Sequence, residues 1–216
     1  MTPLRILVVD DHAVVRRGVR SLLESHEGWK VCGEATTGRD AVDQSRRLRP
    51  DVVVMDLSLP ELNGLDATRQ ILKDVPDTEV LVLTMHHSEE LARDVLQAGA
   101  RGYVLKADAD DNLIAAVDSL RQHKPFLTAT VTEFVLDDYV RRGDALDDLA
   151  PVALTARERE VIQLVAEGQS NKEAASTLGI SVKTIEAHRA NVMRKLHLRS
   201  VSDLVRYAIR NKIVQP

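Results

Sequence analysis

Five polar residues of the 216-residue chain are of the types that handle a phosphoryl group: Asp10, Asp11, Asp56, Thr84 and Lys106. Carboxylates brought close together repel and raise one another's pKa unless a proton or a cation neutralises them. Oxygen-only ligands with room for water suit Mg2+, which favours octahedral coordination and often bridges protein carboxylate and phosphate. A hydroxyl and an ammonium beside a metal-bound carboxylate can each take one equatorial oxygen of a transferred phosphoryl group. In such a set Asp56 is the natural nucleophile, with Thr84 and Lys106 as phosphoryl-binding groups.

These residues can meet only if the elements before them end at one place. Short apolar runs at Leu4 to Val9, Trp29 to Ala35, Val52 to Met55, Val80 to Leu83 and Gly102 to Leu105 have the length and β-branched content of strands. Amphipathic segments near Ala13 to Ser25, Arg39 to Leu48, Leu65 to Asp74, Glu89 to Ala98 and Asp110 to Arg121 alternate with them. Five strands alternating with five helices predict an α/β fold, a doubly wound five-stranded parallel sheet covered on both faces. Ligands of such sheets bind beyond the carboxyl ends of the strands, near the point where strand order reverses. Asp10 and Asp11 follow the first strand, Asp56 the third, Thr84 the fourth and Lys106 the fifth, so a central first strand beside the third makes the carboxylates converge. Residues 1–122 form this domain. Residues 123–153, with Pro125, Gly143, Pro151 and a charged run, read as a linker, in which Thr130 to Arg142 has the spacing of one helix.

Residues 154–216 read as a second, smaller, all-α domain. Thr155-Ala156-Arg157-Glu158 matches a capping box and opens a helix that ends at Gly168. Asn171 to Leu178 is a short second helix, Gly179 to Ser181 a tight turn, Val182 to Leu196 a third helix and Val201 to Asn211 a fourth. Two helices joined by a three-residue turn containing Gly form a helix-turn-helix, whose second helix is shaped to enter a major groove. Charge agrees: residues 1–150 carry 18 Lys and Arg against 27 Asp and Glu, whereas residues 151–216 carry 11 against 6. A basic domain on an acidic body suits a polyanion such as DNA. In the third helix Ile185, Val192 and Leu196 share the core stripe, leaving Lys183, Thr184, Glu186, Ala187, Arg189, Ala190, Arg194 and Lys195 available.

Other signals narrow the class. Cys32 is the sole cysteine, which excludes an intramolecular disulfide and points to a reducing setting and a buried structural thiol. No stretch approaches the ~20 apolar residues of a spanning helix, so a cytoplasmic protein is expected. His86 and His87 are adjacent and have no third ligand placed to join them, which disfavours a metal pair. Met85 and Trp29 read as packing residues.

The motifs carry a resemblance. Val8-Val9-Asp10-Asp11-His12, Asp56-Leu57-Ser58-Leu59-Pro60 with Gly64, Leu83-Thr84-Met85-His86 and Gly102-Tyr103-Val104-Leu105-Lys106 resemble a receiver domain of flavodoxin-like fold. Leu154-Thr155-Ala156-Arg157-Glu158, Asn171-Lys172-Glu173 and Ser181 to His188 resemble a LuxR-type helix-turn-helix. Across nearly the whole chain the order is similar to that of the NarL/FixJ family of two-component response regulators.

The resemblance implies a transcriptional regulator, not an enzyme, phosphorylated on Asp56 by a histidine kinase. It implies Mg2+ held by Asp10, Asp11, Asp56 and the Ser58 carbonyl, phosphoryl contacts from Thr84 and Lys106, and a switch in which Tyr103 changes rotamer with Thr84. It assigns Lys183, Glu186, Ala187 and Ala190 to bases, and Thr184, His188, Arg189 and Lys195 to the DNA backbone or to helix orientation. Glu186 either accepts from a cytosine amino group or orients Arg189 or Arg194. Two positions depart from the family pattern: Leu59 stands where many receivers have Met, and Ala107 follows Lys106 where many have Pro. A phosphohydrolase using an aspartate nucleophile is the rival reading; such enzymes often place a second Asp two residues on, where this chain has Ser58. Phosphorylation is expected to promote a homodimer, with the apolar residues Val201, Leu204, Val205, Ala208 and Ile209 of the last helix contributing to it.

Overall fold

A computed structural model describes residues 2–85, 88–128, 131–132 and 154–214. Apart from Pro60–Asn63, the described residues up to 132 form one compact unit and residues 154–214 a second.

The N-terminal unit alternates β1 (Leu4–Val9), α1 (Ala13–Glu24), β2 (Trp29–Ala35), α2 (Gly38–Leu48), β3 (Val52–Met55), α3 (Gly64–Asp74), β4 (Glu79–Thr84), α4 (Glu89–Gln97), β5 (Gly102–Leu105) and α5 (Ala109–Arg121). The strands are parallel, in the order β2-β1-β3-β4-β5 with a sixth, β6 (Phe126–Leu127), on the β5 edge. Order reverses between β1, which pairs with both β2 and β3, and β3, which leads outward to β4. Both central strands are buried on both faces, as their unbroken apolar runs require: Ile6 to Val9 and Val52 to Met55 are all buried.

One face of the sheet packs under α1 and α5. There Val19, Leu23, Leu113, Ala116, Val117 and Leu120 meet Ile6, Val8, Val54, Leu81 and Val104. On the other side α2 is started by Thr37, whose hydroxyl accepts from the Asp40 amide at 3.1 Å. Gly64, which opens α3, sits against the end of β3: its amide donates to the Leu57 carbonyl at 3.0 Å.

The sixth strand was not expected. It falls inside the segment read as linker, follows Pro125, and has only two residues, too few for periodicity to show. It exists because the Phe126 amide finds the Arg101 carbonyl at 2.9 Å and Phe126 packs on the α5 face of the core. The helix expected over Thr130 to Arg142 lies almost wholly outside the described residues. Trp29 is buried and stacks on His26, as a packing residue should. Met85 is not: it follows β4 where the chain leaves the sheet and is 71% exposed. Cys32 is half-buried on β2, and burial raises its thiol pKa.

The C-terminal unit holds α6 (Ala156–Ala166), α7 (Asn171–Leu178), α8 (Val182–Lys195) and α9 (Val201–Arg210). Thr155 and Ser170 each form a complete capping box, with Glu158 and Glu173. Ser181 and Ser200 cap α8 and α9 by accepting from the Thr184 and Asp203 amides. Gly179 closes α7 in the left-handed region, at φ 62°, which a residue without Cβ adopts readily. The core joins Val161, Ile162, Leu164, Ala174, Leu178, Ile185, Val192, Leu204 and Ala208, one apolar stripe from each helix. Among the described residues, no helix is long and apolar enough to cross a membrane.

Candidate functional site

The site begins where β1 and β3 stop being apolar. Hydrogen bonding carries each strand one residue further, into a carboxylate: the Asp10 amide donates to the Ala35 carbonyl at 3.2 Å and the Asp56 amide to the Val9 carbonyl at 2.9 Å. Both acids are only 2% exposed, at the carboxyl end of the sheet beside the reversal point. Burying two carboxylates there requires compensation, and each oxygen has it. Asp10 Oδ1 accepts from the His12 amide at 2.8 Å, and Asp56 Oδ1 from the Leu57 amide at 2.8 Å. Lys106, carried in from the end of β5, places Nζ 2.6 Å from Asp10 Oδ2 and 2.8 Å from Asp56 Oδ2.

The electrostatics follow from that geometry. Burial pushes the Asp56 carboxyl above the ordinary carboxylate value; the Lys106 hydrogen bond and charge pull the other way, and Asp10 adds to the rise. Burial alone would lower the Lys106 ammonium, but hydrogen bonds and charge from Asp10 and Asp56 more than offset it and raise its pKa. Lys106 is therefore a fixed cation between two acids.

Asp11 differs from its neighbour in being exposed. Its Oδ1 lies 2.7 Å from the His12 imidazole. Ligand atoms of Asp10, Asp11, His12 and Asp56 all fall within 4.8 Å of one another, so the cluster could hold a metal ion. The donor set fits Mg2+: three carboxylates supply hard oxygens, and the exposed side at Asp11 leaves room for the waters this ion keeps.

Thr84 ends β4, opposite Leu105 and hence one residue from Lys106, and is fully buried. Tyr103 lies two residues before Leu105 on β5 and is buried in this structure, its phenol pushed up to about 12 by burial. The Ser58 amide hydrogen-bonds the Asp56 carboxylate. Ala107 lies in a single 3-10 turn, Lys106–Asp108, that runs into α5. His86 and His87 are outside the described residues. Asp10, Asp11, Asp56 and Lys106 thus come together, with Thr84 at the adjoining strand end. Sequence reasoning passed over Arg16, whose guanidinium donates to the Asp10 carbonyl at 2.9 Å. Its only signal was a basic residue in the first turns of α1.

The C-terminal unit carries the second set. On α8, Lys183, Thr184, Glu186, Ala187, Ala190 and Arg194 are exposed along one side, while Ile185 and Val192 are buried. His188, Arg189 and Lys195 are half-buried. Arg189 donates to the Asn171 side chain at 3.2 Å, and Lys195 pairs with Glu158 at 2.9 Å. Both therefore brace α8 against α7 and α6. Arg194 donates to Asn191 on its own helix at 2.9 Å.

Comparison with known proteins finds one family match in each half of the chain. The family described as response regulator receiver domain matches residues 6–118, and that described as bacterial regulatory proteins, luxR family, matches residues 152–208. The oxygen regulatory protein NreC of Staphylococcus epidermidis is 38% identical over 98% of this chain and 100% of its own length. A LuxR-family two-component response regulator from Aurantimonas sp. has a solved structure with TM-score 0.61 and 34% identity, covering 64% of this chain and 99% of that one. RcsB from Salmonella enterica serovar Typhimurium, solved on promoter DNA with the phosphomimetic BeF3−, gives TM-score 0.58 and 29% identity over 94% of this chain and 97% of its own.

Proposed function

This chain belongs to the two-component response regulators that join a receiver domain to a LuxR-type regulatory domain, and from that premise we propose how its residues carry the signal. It is a DNA-binding transcription regulator. A phosphoryl group passes from the phosphohistidine of a histidine kinase to an Asp56 carboxylate oxygen: the P–N bond breaks, a P–O bond forms, and the imidazole leaves. The single observation that carries this reading is the Lys106 ammonium shared between buried Asp56 and Asp10, a cation already in place where phosphoryl charge must be stabilised. Mg2+, when bound by Asp10, Asp11, Asp56 and the Ser58 carbonyl, supplies further positive charge at that place.

The chain's own residues do the rest. Lys106 neutralises one phosphoryl oxygen, and the Thr84 hydroxyl donates to another. The added charge, roughly −1.5 to −2, biases the positions of Thr84 and Tyr103 and so the surface around β5. On the output side, α8 enters the major groove with Lys183, Glu186, Ala187 and Ala190 toward base edges and Thr184 toward phosphate, while His188, Arg189 and Lys195 set its orientation. The role is regulatory and not one of turnover: the second acid that a phosphohydrolase would use is Ser58 here.

Dimerisation rests on α9, where Val201 is 41% exposed and Val205 and Ile209 are half-buried around the buried Leu204 and Ala208. A symmetric pair across that strip puts two copies of α8 on half-sites about one turn, ~34–36 Å, apart. A lone thiol suits a reducing compartment, which supports the cytoplasm as the setting for this activity.

The decisive experiment is intact mass of the full-length chain after incubation with Mg2+ and a small phosphodonor, with light scattering on the same samples. Wild type should gain one phosphoryl group and dimerise, and Asp56→Asn should do neither. An adduct of equal yield on Asp56→Asn would remove Asp56 from the role.

A further inference from the structure

We propose that Arg16 is a positioning residue for the metal-binding carboxylates, acting through the peptide that joins Asp10 to Asp11. The proposal rests on the Mg2+ site described above and assigns a role in it to a residue that touches no metal ligand's side chain.

The geometry separates the two acids. Asp10 is fixed at every polar atom: its amide by the Ala35 carbonyl, Oδ1 by the His12 amide, Oδ2 by Lys106 and its carbonyl by Arg16. Asp11 is exposed and its carboxylate is met by the neighbouring His12 imidazole at 2.7 Å, so the place from which it reaches the site depends on the peptide plane before it. That plane contains the Asp10 carbonyl. Holding the carbonyl fixes the Asp11 nitrogen and Cα, and with them the place from which the third carboxylate starts.

Arg16 is itself held. Its Nε donates to Glu34 Oε2 on β2 at 2.9 Å while Nη1 reaches the Asp10 carbonyl at 2.9 Å, and its side chain is only 17% exposed. Arg20 occupies the other Glu34 oxygen at 2.8 Å, so the carboxylate cannot turn away. A rigid planar fork spanning two acceptors is a task for guanidinium, which an ammonium cannot duplicate. Groups that orient metal ligands from behind commonly govern affinity by 10- to 100-fold when removed.

Charge alone predicts the opposite sign. Arg16 is a cation near a cation site, so removing it by Arg16→Met would tighten Mg2+ binding if it acted only through its field. The test follows the Asp11 and His12 amide resonances of the full-length protein during titration with Mg2+ alone. Arg16→Met should raise the Mg2+ Kd about tenfold, with Arg16→Lys between it and wild type. Glu34→Gln should shift it in the same direction by less. Arg20→Met, which frees one Glu34 oxygen but leaves Arg16 bonded to both Glu34 and the Asp10 carbonyl, should raise Kd by less than Glu34→Gln does. In phosphodonor reactions the Arg16→Met rate should half-saturate at higher Mg2+ yet approach the wild-type limit when Mg2+ is saturating.

An unchanged or lowered Kd for Arg16→Met overturns the proposal, as does an equal loss in Arg20→Met, which would make the effect one of α1 packing. Absence of Mg2+ binding in wild type would overturn the metal site itself, and the proposal with it.

Discussion

Gly64→Ala should disable phosphoryl uptake more than it destabilises the protein. A Cβ built on Gly64 lies 1.9 Å from the Asp56 carbonyl oxygen and 2.8 Å from both the Asp56 carbonyl carbon and Leu57 Cα. Ordinary contact begins near 3.4 Å, so α3 and the loop after β3 must separate by about 1.5 Å. The three nearest atoms are all backbone, so no flexible side chain can relieve the closest contacts. Nor can Gly64 easily retreat, since its amide is bonded to Leu57 and its carbonyl accepts from the Thr68 hydroxyl at 2.7 Å. Overpacking of this kind costs ~1–3 kcal/mol. A shift of about 1 Å at a reacting group can cost ~100-fold in rate, and the group displaced here is Asp56 itself. Gly18→Ala is the control of opposite sign: it lies within α1, its Cβ meets nothing within 4 Å, and Ala should stabilise the helix by ~0.5–1 kcal/mol. Urea unfolding gives the stabilities, and intact mass against time gives the uptake rates. A Gly64→Ala protein that matches wild type in both would show that the close approach does not constrain the site.

Three further outcomes are expected. Lys106→Met strands two buried carboxylates and should cost about 3 kcal/mol at pH 8; because the raised Asp56 pKa rises further without its cation, protonation relieves the charge at low pH, so the deficit should shrink toward pH 5, and a pH-independent deficit in urea melts would contradict this. In the C-terminal unit Asp203 is held at about 2 by the Ser200 hydroxyl and by Arg206, so its contribution is present above the ordinary carboxylate value of 3.8 and is lost as pH falls through about 2. The stability gap between wild type and Asp203→Asn should accordingly close on acidification from pH 5, and a gap that widens would reverse the sign of the argument. Specific DNA affinity should fall steeply with salt; Glu186→Ala should change sequence preference, while Arg189→Ala should weaken all sequences by loosening α8 from Asn171, and binding indifferent to salt would exclude groove placement.

What could be read from the sequence was whatever short-range physics decides. The apolar runs of β1 and β3 stop at Asp10 and Asp56 because a strand buried on both faces must end where charge begins, so the carboxylate cluster was legible once a parallel sheet was inferred. Thr155 marked a helix start for a similar reason, since its hydroxyl satisfies an amide three residues on, and the structure shows Ser170, Ser181 and Ser200 doing the same at the next three helices. What escaped depends on partners far along the chain. The sixth strand is held by a bond to Arg101 and by packing on α5, neither of which two residues can announce. Met85 reads as a packing residue by its apolar type, but it lies just past the end of β4 at Thr84 and is 71% exposed. Lys195 was assigned to DNA backbone or helix orientation, and only Glu158, 37 residues earlier, favours the second. Arg16 is the sharpest case. On an amphipathic helix an arginine reads as a solvated charge, and nothing local distinguishes it from Arg17, which is exposed and donates to the Ala13 carbonyl of its own helix. Glu34, 18 residues away on β2, turns Arg16 inward onto the Asp10 carbonyl. A charge whose acceptor is a backbone oxygen in the site leaves no sequence pattern there, because any residue at Asp10 would present the same carbonyl. It can be found only by asking what holds each peptide of the site in place.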